Sequence, residues 1–248
     1  MQLRKGQVQT ALIDADIMLY RAAWKHEGGS VEEAYETIDA MFEHIFYVTH
    51  CTGYLGFLTG RSNFRKAIAI TKPYKGNRKD LILPEHFFAI REYLVETWEC
   101  KVAEFIEADD AMGICQSEME DTIICSIDKD MLQIEGYHYN WNKNEVSLVT
   151  KEEAERLLYK QILMGDSTDN IVGIPKVGDK TAEKILDKIE NITMTEAICI
   201  EAYMKHYDDY ELSVTKMMET MDLVRIATSS SDSRFHCKFE IPEVSYVF

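Results

Sequence analysis

Acidic side chains recur where apolar segments of the chain end. The apolar run Val8–Ile13 predicts a buried strand that delivers Asp14 and Asp16 at its carboxyl end. The acids fall into five groups, which are Asp14 with Asp16, Glu107 with Asp109 and Asp110, Asp128 with Asp130, Asp166, and Asp169. In open α/β sheets the functional site lies beyond the carboxyl ends of the strands. We therefore expect the groups that follow strands to face one crevice.

The chemistry expected of such a crevice is binding of hard cations. Closely packed carboxylates repel one another unless they are protonated or bridged by cations. Oxygen ligands favour Mg²⁺ or Mn²⁺ over zinc, and the sequence has neither a CxxC nor an HExxH pattern. Two ions about 4 Å apart can activate a water and stabilise the leaving oxygen of a phosphodiester. The alternative is that each acid is a helix cap or loop residue, since Asp is common in turns.

The segment Met164–Leu186 predicts a glycine hairpin between two helices. Gly173 and Gly178 bracket the turn, and Asp179 is expected to cap the second helix. Glycines let backbone N–H groups approach a phosphate, and a helix N-terminus adds a favourable dipole. The side chains expected beside that phosphate are those of Lys176, Lys180 and Thr181. The alternative is a purely structural turn.

The charge distribution is uneven. The net charge is −16, which should repel nucleic acid unless the acids are gathered and neutralised by cations. Within 61–79 there are seven basic residues, namely Arg61, Arg65, Lys66, Lys72, Lys75, Arg78 and Lys79. This stretch and the hairpin lysines are the expected phosphate contacts.

The 248 residues, 46% hydrophobic and 28% charged, are typical of a soluble globular protein. No apolar run approaches the ~20 residues of a membrane span, and the first residues lack a signal-like core. Strands alternating with helices predict an α/β domain over 1–150, followed by a helical extension over 151–248. The predicted strands are Val8–Ile13, Tyr54–Leu58, Lys101–Ile106, Thr122–Ile127 and a strand-like Arg234–Ile241. The predicted helices are 31–49 after a Ser30/Glu33 capping box, 84–98, 109–118, and 151–164 after a Thr150/Glu153 capping box.

Five ordered motifs and the hairpin cover residues 8–190. They are Ile13–Asp16 with Arg21 behind it, Tyr74–Arg78, Glu107–Asp110, Ser126–Asp130 and Met164–Asn170. With these motifs the chain resembles the flap endonuclease/5′→3′ exonuclease family, particularly its bacteriophage members and the 5′-nuclease domain of bacterial DNA polymerase I.

The resemblance implies a PIN-like α/β domain with a mostly parallel central sheet, a short helical arch, and a helix–three-turn–helix element at about 151–190. It implies two Mg²⁺ or Mn²⁺ ions, and K⁺ at the hairpin is a further expectation. By position, one metal cluster would comprise Asp14, Glu107, Asp109 and Asp110. The other would comprise Asp128, Asp130, Asp166 and Asp169, with Asp128 lying between the two ions.

The same resemblance assigns cationic roles. Lys75 and Arg78 match the basic pair at the base of the arch and would stabilise charge on the scissile phosphate, and Arg21 is counted with them as catalytic. The implied DNA-binding residues are Arg61, Arg65, Lys66, Gly173, Lys176, Gly178, Lys180 and Thr181.

Two intervals depart from the family or leave alternatives open. Leu55–Gly60 holds no carboxylate where the family has a metal-site acid, and Asp16 is the candidate substitute. The predicted helix 84–98 carries four aromatic residues, Phe87, Phe88, Tyr93 and Trp98. They could form a base-stacking platform, although a helix core is the favoured interpretation.

The leading hypothesis is a two-metal 5′→3′ exonuclease or structure-specific 5′ flap endonuclease. It would hydrolyse DNA, and RNA primers are a further substrate, in phage DNA replication or DNA degradation. The partner would be duplex DNA with a 5′ end or flap, and the protein is expected to be a cytoplasmic monomer without membrane contact. The alternatives are a PIN-type ribonuclease and a non-catalytic DNA-binding relative of nucleases.

Overall fold

The computed structural model describes residues 3–78, 81–188, 195–235 and 238–247. Lys79 of the basic stretch lies outside these residues. Two compact units are present. The first comprises 1–63, 82–149 and 226–248, and the second comprises 64–81 and 150–225. This division differs from the expected 1–150 and 151–248 in the membership of 64–81 and 226–248. Within the described ranges, no helix combines the length and apolar character that a membrane span requires.

A mostly parallel sheet organises the first unit, as predicted. Among the described residues it has seven strands, which are β1 (Thr10–Asp14), β2 (Gly53–Thr59), β3 (Lys101–Ala103), β4 (Thr122–Cys125), β5 (Gly136–Asn140), β6 (Glu145–Val149) and β9 (Ser245–Tyr246). Their order is β3-β2-β1-β4-β5-β6, and β9 also pairs with β2. The first five strands of that order run parallel to one another, whereas β6 and β9 are antiparallel to their neighbours.

The helices of the first unit cover the sheet. They are α1 (Ala15–Lys25), α2 (Val31–Thr49), α4 (Phe87–Glu96) and α5 (Ala108–Glu118). Every residue of β1 is buried, which explains its continuous apolar run, because a parallel strand covered on both faces has no solvent side. Ser30 caps α2 as predicted, but its hydroxyl accepts the amide of Glu32 instead of completing a box with Glu33.

The predicted strand Arg234–Ile241 is wrong for the residues that the structure describes, because 234–235 and 238–241 are irregular and 236–237 lie outside the description. The tail instead forms β9, in which Tyr246 pairs with Gly53. The far end of β2, from Phe57, already pairs with β3, so only the start of β2 offers free backbone groups on that edge.

Helices dominate the second unit. They are α3 (Arg65–Ile68), α6 (Lys151–Met164), α7 (Asp179–Leu186), α8 (Thr195–Tyr207) and α9 (Tyr210–Val224), and a 3₁₀ turn covers Gly76–Arg78. The predicted Thr150/Glu153 capping box at α6 is confirmed, with N–H···O distances of 3.2 and 2.9 Å. The core includes Ile162, Leu163, Tyr203 and Met217.

Between α6 and α7 the chain makes a two-stranded hairpin, β7 (Gly165–Asp166) with β8 (Ile171–Val172). Its ends touch. A Cβ on Gly173 would lie 2.2 Å from the backbone of Met164 and Gly165, so no side chain fits there. Gly165 also has a φ of +69°, which favours glycine.

Candidate functional site

Asp14 lies at the junction of β1 and α1 and is 2% exposed. One carboxylate oxygen accepts the amide of Ile17 at 3.1 Å and caps α1, and the other accepts the hydroxyl of Ser126 at 2.7 Å. Burial raises the pKa of Asp14 to about 7, and repulsion from Asp16 and Asp128 adds to the rise, against the two hydrogen bonds. The folded protein therefore holds Asp14 where ionisation of its carboxyl group is unfavourable.

Ser126 connects the ends of two neighbouring strands. Its hydroxyl donates to Asp14 and also accepts the amide of Asp128 at 3.0 Å. Asp128 then caps a 3₁₀ turn by accepting the amide of Asp130 at 2.9 Å. Sequence reasoning used Ser126 only as the first letter of a motif. Its position two residues before Asp128 was the available signal, since a hydroxyl there can bind the backbone locally.

Asp16 reaches the end of β2, where the sequence lacks an acid. Its Oδ2 accepts the amide of Thr59 at 2.9 Å, and Arg91 Nη1 lies 3.9 Å from its Oδ1. Burial raises the pKa of Asp16, and repulsion from Glu107 adds to the rise, while Thr59 and Arg91 oppose it. This position supports Asp16 as the substitute for the acid missing from Leu55–Gly60.

The acids at the start of α5 differ in their surroundings. Asp110 is fully buried; one oxygen accepts the amide of Glu107 at 3.1 Å and the other accepts the amide of Ala227 at 3.0 Å. Glu107 and Asp110 form a capping box. This bonding favours a structural role for Asp110 over the predicted role as a metal ligand. Asp109, which follows Glu107 by two residues, is partly buried in the first turn of α5.

The donor chemistry fits a hard divalent cation. Four carboxylates take part: repulsion from Asp16 and Asp128 helps to raise the pKa of Asp14, and repulsion from Glu107 helps to raise that of Asp16. A divalent ion would relieve their repulsion. Within the described ranges, no group of three or more His, Cys, Asp or Glu side chains is arranged to hold a metal ion. The ligand roles of these acids therefore stay predictions.

In the second unit, the carboxylate of Asp169 forms ion pairs with two of the predicted catalytic residues, Lys75 and Arg78. Arg78 Nη2 lies 2.5 Å from Oδ1 of Asp169, and Lys75 Nζ lies 3.6 Å from Oδ2. The hydroxyl of Tyr74 donates to Oδ2 at 2.8 Å. Asp166 accepts the amide of Thr168 at 2.7 Å. The Tyr74–Arg78 motif and the Met164–Asn170 motif, separated by about 90 residues in sequence, thus contact each other directly.

The turn before α7 presents cations to solvent. Gly178 is the N-cap in extended backbone, and Asp179 is the first helical residue, so the expectation that Asp179 caps α7 is wrong. The carboxylate of Asp179 instead pairs with Lys160 at 2.6 Å. Lys176, Lys180 and Thr181 are exposed, as a phosphate contact requires. Gly173 is buried against Met164 and Gly165, which favours a packing role over the predicted DNA contact.

Ion pairs between α6 and α7 neutralise the acids of α7. Lys160 also pairs with Glu183 at 2.7 Å, and Arg156 pairs with Glu183 and, at 2.7 Å, with Asp187. The acids at 179, 183 and 187 share one face of the helix because they are four residues apart. Their charge is therefore balanced within the protein.

Arg65 differs from its basic neighbours. It is 3% exposed, and its guanidinium donates to the carbonyls of Leu223 at 2.8 Å and Arg225 at 3.0 Å, at the C-terminus of α9. This burial favours a structural role over the predicted DNA contact. Arg61 and Lys66 are exposed. No local sequence signal separates Arg65 from Lys66, because the partners of Arg65 lie far along the chain.

Arg21 lies on α1, is exposed, and donates to the side-chain carbonyl of Asn142. It lines a cavity of about 660 Å³ together with His26, His44 and Trp141. None of the predicted metal-site acids lines that cavity. The catalytic role of Arg21 stays a prediction.

The aromatic residues of 84–98 mostly serve the core, which was the favoured interpretation. Trp98 stacks on Phe42 with ring centroids 4.0 Å apart, and Tyr93 stacks on Tyr35 at 4.2 Å. Phe87 packs on the core as well, whereas Phe88 is 71% exposed.

Curated relatives of this chain include exonucleases. The chain is 34% identical over 154 residues to a 5′-3′ exonuclease of Buchnera aphidicola subsp. Schizaphis graminum, covering 55% of this chain and 52% of the relative. It is 34% identical over 137 residues to an exodeoxyribonuclease of Enterobacteria phage T3, covering 52% and 45%. The resemblance to the flap endonuclease and 5′→3′ exonuclease family is confirmed. The chain spans about half the length of these curated relatives.

The fold agrees with that family. A crystal structure of the phage T5 D15 protein with metal ions has a TM-score of 0.59 and 12% identity, covering 88% of this chain and 100% of T5 D15. T5 D15 is also described as a flap endonuclease in a complex with DNA and metal ions, with a TM-score of 0.52 and 16% identity, covering 86% of this chain and 99% of that one. At this identity the likeness concerns the α/β fold. No protein-family model matches the chain.

Proposed function

We propose that this protein is a divalent-metal-dependent 5′ nuclease, a 5′→3′ exonuclease and structure-specific flap endonuclease that hydrolyses DNA. The observation that carries the proposal is the buried carboxylate of Asp14, coupled through Ser126 to Asp128 at the carboxyl ends of β1 and β4. A buried carboxylate with a strongly perturbed pKa beside other acids is typical of functional sites. The exonuclease and exodeoxyribonuclease names of the relatives support the same activity.

Asp14, Asp16, Glu107, Asp109 and Asp128 are the proposed carboxylate ligands in the first unit. Divalent ions bound there would activate a water and stabilise the departing 3′-oxygen of the phosphodiester. Ser126 holds Asp14 and Asp128 in register through its two hydrogen bonds. Further ligands, proposed on the family resemblance alone, are Asp130, Asp166 and Asp169.

Lys75 and Arg78 are proposed to bind the scissile phosphate. Preorganised cations stabilise the charge that builds on the phosphate in the transition state. In this structure their ammonium and guanidinium groups both pair with the carboxylate of Asp169, so the two cations lie close together. The exposed Lys176, Lys180 and Thr181 beside the N-terminus of α7 are proposed backbone contacts for duplex DNA.

Finer assignments follow the family. We assign α6, the β7–β8 hairpin and α7 to a helix–three-turn–helix element, with K⁺ as a candidate ion at the hairpin. A short helical arch is proposed within the interval between Arg78 and Glu107, outside α4, which packs on the core, and β3, which belongs to the sheet. Mg²⁺ or Mn²⁺ is the proposed metal, the protein is proposed to act as a cytoplasmic monomer, and the setting is phage DNA replication or DNA degradation.

The test compares the two ends of one strand. A 5′-labelled flap DNA and a structured RNA are incubated with Mg²⁺ and with wild type, Asp128→Asn or Asp121→Asn. Asp121 precedes β4, and its carboxylate accepts a hydrogen bond from the side-chain amide of Gln9 at 3.2 Å, a bond that the oxygen of Asn can also accept, so Asp121→Asn should match wild type. We expect cleavage of the flap DNA, its loss in Asp128→Asn, and its loss in EDTA.

Other outcomes identify the alternatives. Cleavage of the RNA with the DNA left intact would replace the proposal by a ribonuclease. Binding of the flap DNA without cleavage by wild type would replace it by a non-catalytic DNA-binding protein. Equal cleavage by wild type and Asp128→Asn would remove the carboxylates from the mechanism.

A further inference from the structure

Two asparagine side chains join the segments 73–78 and 167–170. Asn77 Nδ2 donates to the backbone carbonyls of Ser167 and Thr168, both at 3.1 Å. In the opposite direction, Asn170 Nδ2 donates to the carbonyl of Pro73 at 2.8 Å. We call these two side chains the amide clamp. Each asparagine reaches from one segment to the backbone of the other.

A backbone bond lies between the two halves of the amide clamp. The amide of Lys75 donates to the carbonyl of Asp169 at 2.8 Å. Pro73, Lys75 and Asn77 are therefore each hydrogen-bonded to the segment 167–170. These bonds fix the path of the chain on both sides of the residue that carries the catalytic ammonium group.

The backbone inside the amide clamp enters the left-handed region at two residues and is strained at one of them, Lys75. Lys75 has a φ of +52° and Asn170 a φ of +61°, both in the left-handed region. Asn adopts that region with little cost, but Lys does not. A lysine persists there only when its surroundings over-determine the conformation. The amide clamp and the Lys75–Asp169 bond supply that constraint.

Gly76 shows that the close approach is specific. A Cβ on Gly76 would lie 3.0 Å from Pro73 Cβ and 3.4 Å from the donating Nδ2 of Asn170. Glycine at this position thus leaves room for the amide of Asn170 beside the turn. The same turn continues through Gly76–Arg78, so the amide clamp sets the positions of both Lys75 and Arg78.

We propose that Asn77 and Asn170 are positioning residues that hold Lys75 and Arg78 in the orientation needed to bind the scissile phosphate. The proposal rests on the nuclease function proposed above. Neither asparagine needs to touch the substrate. Both act as hydrogen-bond donors to carbonyl groups, so aspartate, which has the same shape but only accepting oxygens when ionised, cannot replace them.

The test uses variants that remove the donors without removing volume, and one that removes the side chain without adding charge. These are Asn77→Asp, Asn170→Asp, the double variant, and Asn77→Ala. The matched control is Asn144→Asp, because Asn144 accepts a hydrogen bond from Tyr139 through its oxygen and aspartate preserves that bond. Cleavage of 5′-flap DNA is measured with Mg²⁺, together with the melting temperature.

We expect kcat to fall about 10- to 100-fold in each single variant, because misplacement of a catalytic group by about 1 Å costs this much. The KM for the flap DNA should stay within about 2-fold, since the exposed lysines beside α7 are unchanged. The double variant should lose less than the product of the single losses, because both asparagines fix one segment. Asn144→Asp should match wild type.

Hydrogen exchange at the amide of Lys75 gives a readout that does not depend on activity. It should be faster in Asn77→Asp, Asn77→Ala and Asn170→Asp than in wild type, and unchanged in Asn144→Asp. Unchanged exchange, or a wild-type kcat in both Asn77 variants, overturns the inference. A rise in KM with kcat unchanged also overturns it. If wild type itself fails to cleave the DNA, the proposed function fails, and exchange still decides whether the amide clamp holds Lys75.

Discussion

The carboxylates of the first unit and the cations of the second are held in place by different means. Asp14 is the last residue of β1, so the register of the sheet sets its position. Asp128 lies three residues beyond β4, where the hydroxyl of Ser126 accepts its amide. Lys75 and Arg78 lie on a turn, and their positions depend on side-chain bonds from Asn77, Asn170 and Asp169. The comparison indicates that strand ends place charge through backbone hydrogen bonding, whereas loops need dedicated polar contacts.

The largest effect should come from the strand-end carboxylates. Asp14→Asn keeps the helix cap, because Asn is an equally good N-cap, but removes the charge of a proposed metal ligand. We expect nuclease activity on flap DNA with Mg²⁺ to fall about 1,000-fold, or about 4 kcal/mol. Asp39→Asn serves as a control for the loss of a carboxylate, because Asp39 accepts hydrogen bonds from Tyr93 and Trp98 and is not among the proposed metal ligands. Retention of more than a tenth of the activity by Asp14→Asn would remove Asp14 from the site.

The same variant should stabilise the metal-free protein at high pH. The pKa of Asp14 is raised from 3.8 to about 7 in the folded chain. Between these values the unfolded chain is ionised and the folded chain keeps the proton, so stability falls as pH rises from about 4 to about 7. In EDTA at pH 8, Asp14→Asn should gain on the order of 2–4 kcal/mol, measured by urea unfolding. At pH 4 the gain should vanish, and an equal gain at both pH values would contradict this origin.

Arg65 is buried and the adjacent Lys66 is exposed, so this pair separates a structural cation from a proposed DNA contact. Arg65→Met removes buried donors from two carbonyls and should destabilise the protein by about 3 kcal/mol. The exposed Lys66→Met should leave stability within about 0.5 kcal/mol but lower the slope of log Kd against log salt by about 0.9. Urea unfolding and DNA-binding titrations at several salt concentrations test both residues. The interpretation fails if Arg65→Met changes the salt slope without affecting stability.

The smallest difference should separate the adjacent acids of α5. Asp110→Asn replaces one accepting oxygen by a donor and should cost about 2 kcal/mol, since the amides of Glu107 and Ala227 both donate to it. Asp109→Asn should change stability little and weaken Mn²⁺ binding. Calorimetric Mn²⁺ titration and thermal unfolding distinguish the two acids. Weaker Mn²⁺ binding in Asp110→Asn at unchanged stability would restore Asp110 as a ligand.

Buried strands were also easier to predict from the sequence than strand ends and the tail. The mostly parallel sheet and the strands before Asp14 and Asp128 were predictable, because buried strands must be apolar along their whole length. The strand ends were less so, and β3 and β4 stop earlier than the patterns indicate, at Ala103 and Cys125. The tail was mispredicted, because the pairing of Tyr246 with Gly53 depends on which edge of β2 remains free.

The sequence by itself determined the kinds of groups in the candidate site and the strand ends that carry the acids. Apolar runs, glycines and charge spacing are local properties, and they encode buried strands, turns and helix faces. Only the tertiary structure decided which polar groups bind the protein itself. Arg65 bonds to a carbonyl 158 residues away, Asp110 to an amide 117 away, and Asn77 to a carbonyl 90 away. Such partners meet only after folding, so a buried arginine and an exposed lysine look alike in the chain.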